Sequence, residues 1–141
     1  MKVLQVNCVY RKGSTGKIVA DLHEALLARG VESVVCYGRG ETVREPHVHK
    51  VCGEWYAKWN HLRARITGVM YGGCFFSTNR LMGIIKREKP DVVHLQCING
   101  YFVNIPRLIV WLKRRGIPTV LTLHAEFMFT ANCGHALDCD R

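Results

Sequence analysis

The sequence predicts an α/β protein: a Rossmann-like parallel sheet flanked by helices. Three observations carry that expectation. A short apolar segment, residues 2–9, runs through a glycine-bearing turn straight into a helical period. Three more apolar runs, at 32–37, 91–98 and 118–124, each follow a stretch with helical spacing. Such alternation builds parallel strands joined by right-handed crossovers, which bring every strand C-terminus to one edge.

Residues 2–9, Lys-Val-Leu-Gln-Val-Asn-Cys-Val, suit a strand buried on both faces. The turn at 10–17 holds Gly13 and Gly16, which permit tight backbone and close approach to a ligand. A helix is predicted from Ile18, with Ile18, Val19, Leu22, Ala25 and Leu26 inward and Gly30 as its stop. Residues 32–37 form the second strand, ending at Gly38-Arg39-Gly40. The polar stretch 41–53 leaves room for a short edge strand near 49–52. Residues 55–68 read as a helix whose stripe of Trp55, Trp59, Leu62 and Ile66 packs into the core, with Lys58, Arg63 and Arg65 solvated. Its alternative is a basic, tryptophan-bearing helix lying on a membrane surface.

Residues 68–74 form a loop, and 77–79 cap a helix over 80–88 that Pro90 ends. The strand at 91–98 leads into a turn at 99–102. A helix over 104–115 follows, with Ile105, Leu108, Ile109 and Leu112 inward and Gly116 as its stop. The tail from Ala125 has no clear period.

Composition narrows the class. The 141 residues fit one domain with a proper core, and no apolar run reaches the roughly 18 residues of a membrane span. Nothing at the start resembles a signal peptide, so a soluble cytoplasmic protein, peripheral to the membrane at most, is expected. Seven cysteines, several inside apparent strands, read as small core residues rather than a disulfide framework. A net charge of +9 fits nucleic acid, an anionic membrane or phosphorylated substrates.

The chemistry gathers where strands end. Unsatisfied N–H groups at the first helix favour an anion, and Lys12 and Lys17 add charge of the right sign. Neither the P-loop pattern nor G-x-G-x-x-G is present, and the strand-end position that holds an acid in NAD-binding units is Gly38 or Arg39. The expected sheet edge collects Gly13, Ser14, Thr15, Gly16 and Lys17, the segment from His94 through Asn99 and Tyr101, and His124 with Glu126. In the tail, Cys133, His135 and Cys139 offer three of the four ligands a structural zinc takes, a weak pattern.

The opening Lys2-Val3-Leu4-Gln5-Val6-Asn7, the loop Gly13-Ser14-Thr15-Gly16-Lys17-Ile18, Asp91-Val92-Val93-His94-Leu95, Asn99-Gly100-Tyr101 with Asn104-Ile105, and Thr122-Leu123-His124 together resemble the N-terminal half of a family-4 retaining glycosyltransferase of the two-domain GT-B type. The nearest subset builds bacterial surface polysaccharide. The resemblance implies sugar transfer from a nucleotide-sugar donor to a glycan or lipid-linked acceptor, with no catalytic metal, cofactor or nucleic-acid partner. It assigns Gly13 to Lys17 to the donor phosphates and His124 to the donor sugar near the reacting carbon. His94, Asn99, Tyr101 and Glu126 are left for acceptor or sugar.

It also implies a C-terminal nucleotide-sugar-binding domain that residues 1–141 lack. A single truncated domain without turnover of its own is therefore expected, with self-association through exposed interdomain surface. Two other readings stay open. One is a non-enzymatic basic module for a membrane or polyanion, using Lys58, Arg63, Arg65 and residues 113–115. The other, disfavoured by the missing fingerprint, is an NADP-linked oxidoreductase half.

Overall fold

The computed structural model describes residues 1–124. Among them the chain runs β1 (Lys2–Asn7), α1 (Gly13–Ala28), β2 (Glu32–Tyr37), β3 (Val48–Lys50), α2 (Glu54–Thr67), α3 (Phe75–Glu88), β4 (Val92–Leu95), α4 (Ile105–Arg114) and β5 (Thr119–Leu121). The sheet order is β3-β2-β1-β4-β5, and every pairing is parallel. The chain steps outward from β1 to β3, then returns to β4 on the far side of β1. Strand order therefore reverses between β1 and β4, where α/β sheets open a crevice at their carboxyl edge.

Side-chain alternation gives each face its own layer. Leu4 and Val6 of β1, Val34 and Cys36 of β2, and Val93 and Leu95 of β4 join Leu81 and Ile85 of α3 and Leu108 and Leu112 of α4 in the larger core. On the other face Val35, Tyr37 and Val48 meet Tyr10, Val19 and Ala20 beside α1. Burying each of the large aliphatic side chains contributes about 1.5–3 kcal/mol, which is what holds the helices on the sheet.

Three local expectations change. Helix α1 starts at Gly13, not Ile18, so residues 13–17 are its first turn rather than a loop. Gly13 enters at φ +67°, and a side chain on Gly16 would crowd Val9 and the Arg11 backbone, so the incoming chain crosses tightly over this turn. The buried face of α1 is Gly16, Val19, Ala20 and His23, whereas Ile18 is exposed. Helix α3 likewise begins at Phe75. Ser77 and Thr78 lie inside it and turn their hydroxyls back to the Cys74 carbonyl at 3.1 and 2.6 Å.

The largest correction concerns α2. Its buried residues are Ala57, Asn60 and Ala64, while Trp55, Trp59, Leu62 and Ile66 are 84, 64, 49 and 76% exposed. Small residues let the helix backbone come close to the body, and the bulky stripe points away. Helix α4 follows expectation more closely. Asn104 caps it by accepting from the Arg107 N–H at 3.0 Å, although Ile109 is partly exposed.

Candidate functional site at the carboxyl edge of the sheet

The loops leaving β1 and β4 meet at the reversal point. Asn7 ties them together: its Oδ1 accepts from the Cys97 N–H at 2.9 Å and its Nδ2 donates to Val9 O at 2.7 Å. Gly100 sits so close to Cys8 that a Cβ there would lie 2.1 Å from the sulfur. Thr15, in the first turn of α1, lies near enough the Cys97 thiol to offset part of the rise that burial gives its pKa, and that thiol donates to Asn99 Oδ1 at 2.9 Å. The start of α1 and the 97–100 segment therefore form one wall.

That first turn is open to an anion. Its cap residue, Lys12, makes no side-chain bond to the free N–H groups, and the turn contains no acid. A cavity of about 420 Å³ opens beside it, lined by Cys8, Val9, Lys12, Arg39, Gly40, Glu41 and Glu54. Arg39 is not free for a ligand, since Glu54 holds it at 3.0 Å and also accepts from the Gly40 N–H at 2.7 Å. The Gly40 N–H and Arg39 together keep the Glu54 carboxyl below its ordinary value. This pairing weighs against an NADP phosphate on Arg39. A larger hollow of about 650 Å³ lies between α3 and α4, lined by Met82, Lys86, Arg107 and Trp111 among others. The site is assigned to the smaller cavity, because the loop after β1 and the start of α1 border it.

His124 stands just past β5, half-buried, with Nε2 3.4 Å from Gln96 Oε1. Behind it runs a buried polar chain. Gln96 Nε2 donates to Gln5 Oε1 at 2.9 Å, Gln5 Nε2 donates to Ser33 Oγ at 3.3 Å, and Ser33 Oγ lies 2.8 Å from His23 Nδ1. With the amides so oriented, Gln96 presents its oxygen to His124, which donates from Nε2 and keeps Nδ1 as an acceptor. At the far end Ser33 Oγ and His23 Nδ1 share a hydrogen bond whose direction follows the His23 tautomer, and burial lowers the pKa of that ring.

The other predicted residues divide. His94 points to the same face as Gln96, with Nε2 2.8 Å from the Thr122 hydroxyl. Burial, then the neighbouring charge of His124, depresses its pKa. Tyr101, at φ +53°, stacks its ring between Tyr71 and His61, with centroids at 4.8 and 4.7 Å. Lys17 is exposed on α1 and pairs with Asp21 at 3.4 Å. Ser14 is exposed beside the open turn. Glu126, Cys133, His135 and Cys139 lie outside the described residues. The thiol of Cys8, pushed up to about 12 by burial, is no nucleophile at neutral pH.

Gln5, Ser33 and His23 were not candidates from sequence, and Gln96 entered only as part of the segment that begins at His94. The signal that could have found them is polar residues at inward positions of otherwise apolar strands, which demand partners on the neighbouring strand.

The chain is 23% identical to the putative colanic acid biosynthesis glycosyl transferase WcaC of Escherichia coli (strain K12), across 99% of its own length and 37% of that protein's. It thus spans little more than a third of that relative. No solved structure matches the chain. Residues 15–136 match the profile of Glycosyltransferase Family 4, from the first turn of α1 into the tail. With most of its length covered by that match, this chain belongs to Glycosyltransferase Family 4.

Proposed function

We propose that residues 1–141 form the acceptor-side part of a GT-B transferase that moves a sugar from a nucleotide-sugar donor to a glycan or lipid-linked acceptor. The observation that carries this reading is the opening of α1. Its uncapped N–H groups lie at the sheet's reversal point, where the family match begins. Donor phosphates fit there, held by the N–H groups of Gly13 to Gly16 with Lys12 nearby. Lys17, paired with Asp21 on the outer side, contributes only long-range charge.

His124 is positioned for the sugar. With Nε2–H turned to Gln96, its Nδ1 accepts from a sugar hydroxyl, and the strand behind it holds the ring in place. Asn99 and His94 line the same wall for donor or acceptor hydroxyls. The 37% coverage of the relative supports a reading in which a second domain carries the nucleotide and this chain alone does not turn over. The relative's name supports a surface-polysaccharide role. The reading suits work on the cytoplasmic side; no helix among the described residues is long and apolar enough to cross a membrane.

The test is a titration of the isotopically labelled chain with pyrophosphate and with UDP-, GDP- and dTDP-sugars. The expected amide shifts fall on residues 13–16 and 97–100 and weaken when Lys12 is replaced by Gln. Shifts confined to other surfaces, or none at millimolar ligand, would overturn the reading.

A further inference from the structure

Helix α2 presents an inverted face. At about 100° per residue, Trp55, Trp59, Leu62 and Ile66 fall within roughly 60° of arc, directly opposite Ala57, Asn60 and Ala64. The ridge therefore points straight away from the protein body, and the exposure of its four side chains agrees. Val69, just past the end of α2, and Phe75 and Phe76, at the start of α3, are exposed as well, Phe76 lying against Tyr56 and Phe75 under Arg107. Apolar surface of this extent is not ordinary solvent-facing helix.

Charge selects the occupant. Lys58 and Arg65 flank the ridge on one side and Arg63 on the other, each about 70–90° from its centre. Lys58 also lies over the Trp55 ring at 5.3 Å. None of the three cations makes an ion pair among the described residues. The acid of α2, Glu54, is already held by Arg39 and Gly40. A protein-binding core is depleted of lysine, such as Lys58 beside this ridge, although it takes arginine. An anionic lipid interface accepts both, with their stems along the acyl boundary and their charges at the headgroups.

We infer that α2 docks this chain on an anionic phospholipid surface, with tryptophans at the headgroup level and Lys58, Arg63 and Arg65 on phosphates. This surface is separate from the carboxyl-edge site and does not depend on the sugar-transfer reading. Docking there would fix the crevice at a set height above the bilayer, since the helix begins at the cavity through Glu54.

The test is partitioning of the 141-residue chain onto vesicles of phosphatidylcholine, with or without about one-third phosphatidylglycerol. Binding is expected to the anionic vesicles, with a blue shift of tryptophan emission and quenching by brominated lipid. W55S/W59S should bind about tenfold more weakly or worse. K58Q/R63Q/R65Q should lose about fivefold per cation at low salt, an effect that shrinks as salt rises. Circular dichroism checks folding. Should the double variant fail to fold, Trp55→Ser alone, at a position 84% exposed, carries the test. Equal binding to both vesicle types, or variants that bind like the parent, would overturn the inference. So would a blue shift that rises with protein concentration without lipid, which would make the ridge a contact between copies.

Discussion

Gln96 and Gln5 join adjacent strands by a side-chain hydrogen bond of 2.9 Å, and both side chains are fully buried. The pair is the middle of a chain from His124 to His23, directed as far as Ser33, and no buried polar side-chain atom in the described structure lacks a partner. Replacing one member leaves the next unpaired in a low-dielectric interior, at about 1–3 kcal/mol per orphaned group. Gln96→Leu should therefore lower stability by about that amount, read by urea denaturation. It should also free the His124 ring, so that nitrogen chemical shifts report mixed tautomers where the parent shows the Nε2–H form. A parent spectrum already mixed would refute the directed chain.

His124 itself is half-buried and bonded at the long distance of 3.4 Å, so its structural contribution is small. In a complete transferase carrying this chain, His124→Ala should cost about 10²-fold or more in turnover. Its melting temperature should stay within about 3 °C of the parent. Equal losses in turnover and stability would make it a packing residue only.

Acid should loosen the fold before any carboxylate titrates. His23, His49 and His94 are all depressed, in each case chiefly by burial, from an ordinary value of 6.5. The unfolded chain then binds more protons than the folded one below about pH 6.5, so stability falls as pH drops through that value. Glu45 and Glu54 are held low by Arg11 and by the Gly40 N–H, and begin to matter only below their ordinary 4.5. The melting temperature should be lower at pH 5.5 than at pH 7.5, and His23→Asn should flatten the difference. A flat profile in the parent would contradict the burial of these rings.

Gly100 and Cys8 offer a test by double mutation. Gly100→Ala drives a methyl into the Cys8 sulfur, an overpacking that costs about 1–3 kcal/mol. Cys8→Ala removes that sulfur, so the double variant should be less destabilised than the sum of the singles. Strict additivity would show that the loop relaxes instead. Gly38 has no such exit: a Cβ there would sit 2.1 Å from the ring of buried Phe102, and Gly38→Ala should be the costlier change.

Much of this was legible in the residues. Apolar runs bounded by glycine located the strands, because both faces of an inner parallel strand are covered. The end of α4 was readable because Gly116 has a favoured place just past a helix, whereas Asn104, expected inside the helix, proved to be its cap. Helix α2 shows the limit. Periodicity found the helix and the stripe, but a stripe carries no sign saying which side faces the body. The inward side belongs to Ala57, Asn60 and Ala64, whose small or paired side chains allow close approach. Asn60 accepts from the Cys74 N–H at 2.8 Å and so fastens α2 to the start of α3. The chain from His124 to His23 was hidden for a different reason. Its bonded neighbours lie as many as 91 residues apart and meet only once the strand order is known.

That separation has a consequence during synthesis. Strand β1 is made first but occupies the centre of the sheet, and its partner across the reversal point includes Gln96, 91 positions later. At about 5–20 residues per second, the nascent segment waits roughly 5–18 s on the ribosome with one edge unpaired. Until β4 emerges, the Gln5 amide oxygen has only water or a chaperone, although its nitrogen can already reach Ser33. The fold thus closes late, around its oldest strand, and the polar groups at its middle keep that strand hydrated while it waits.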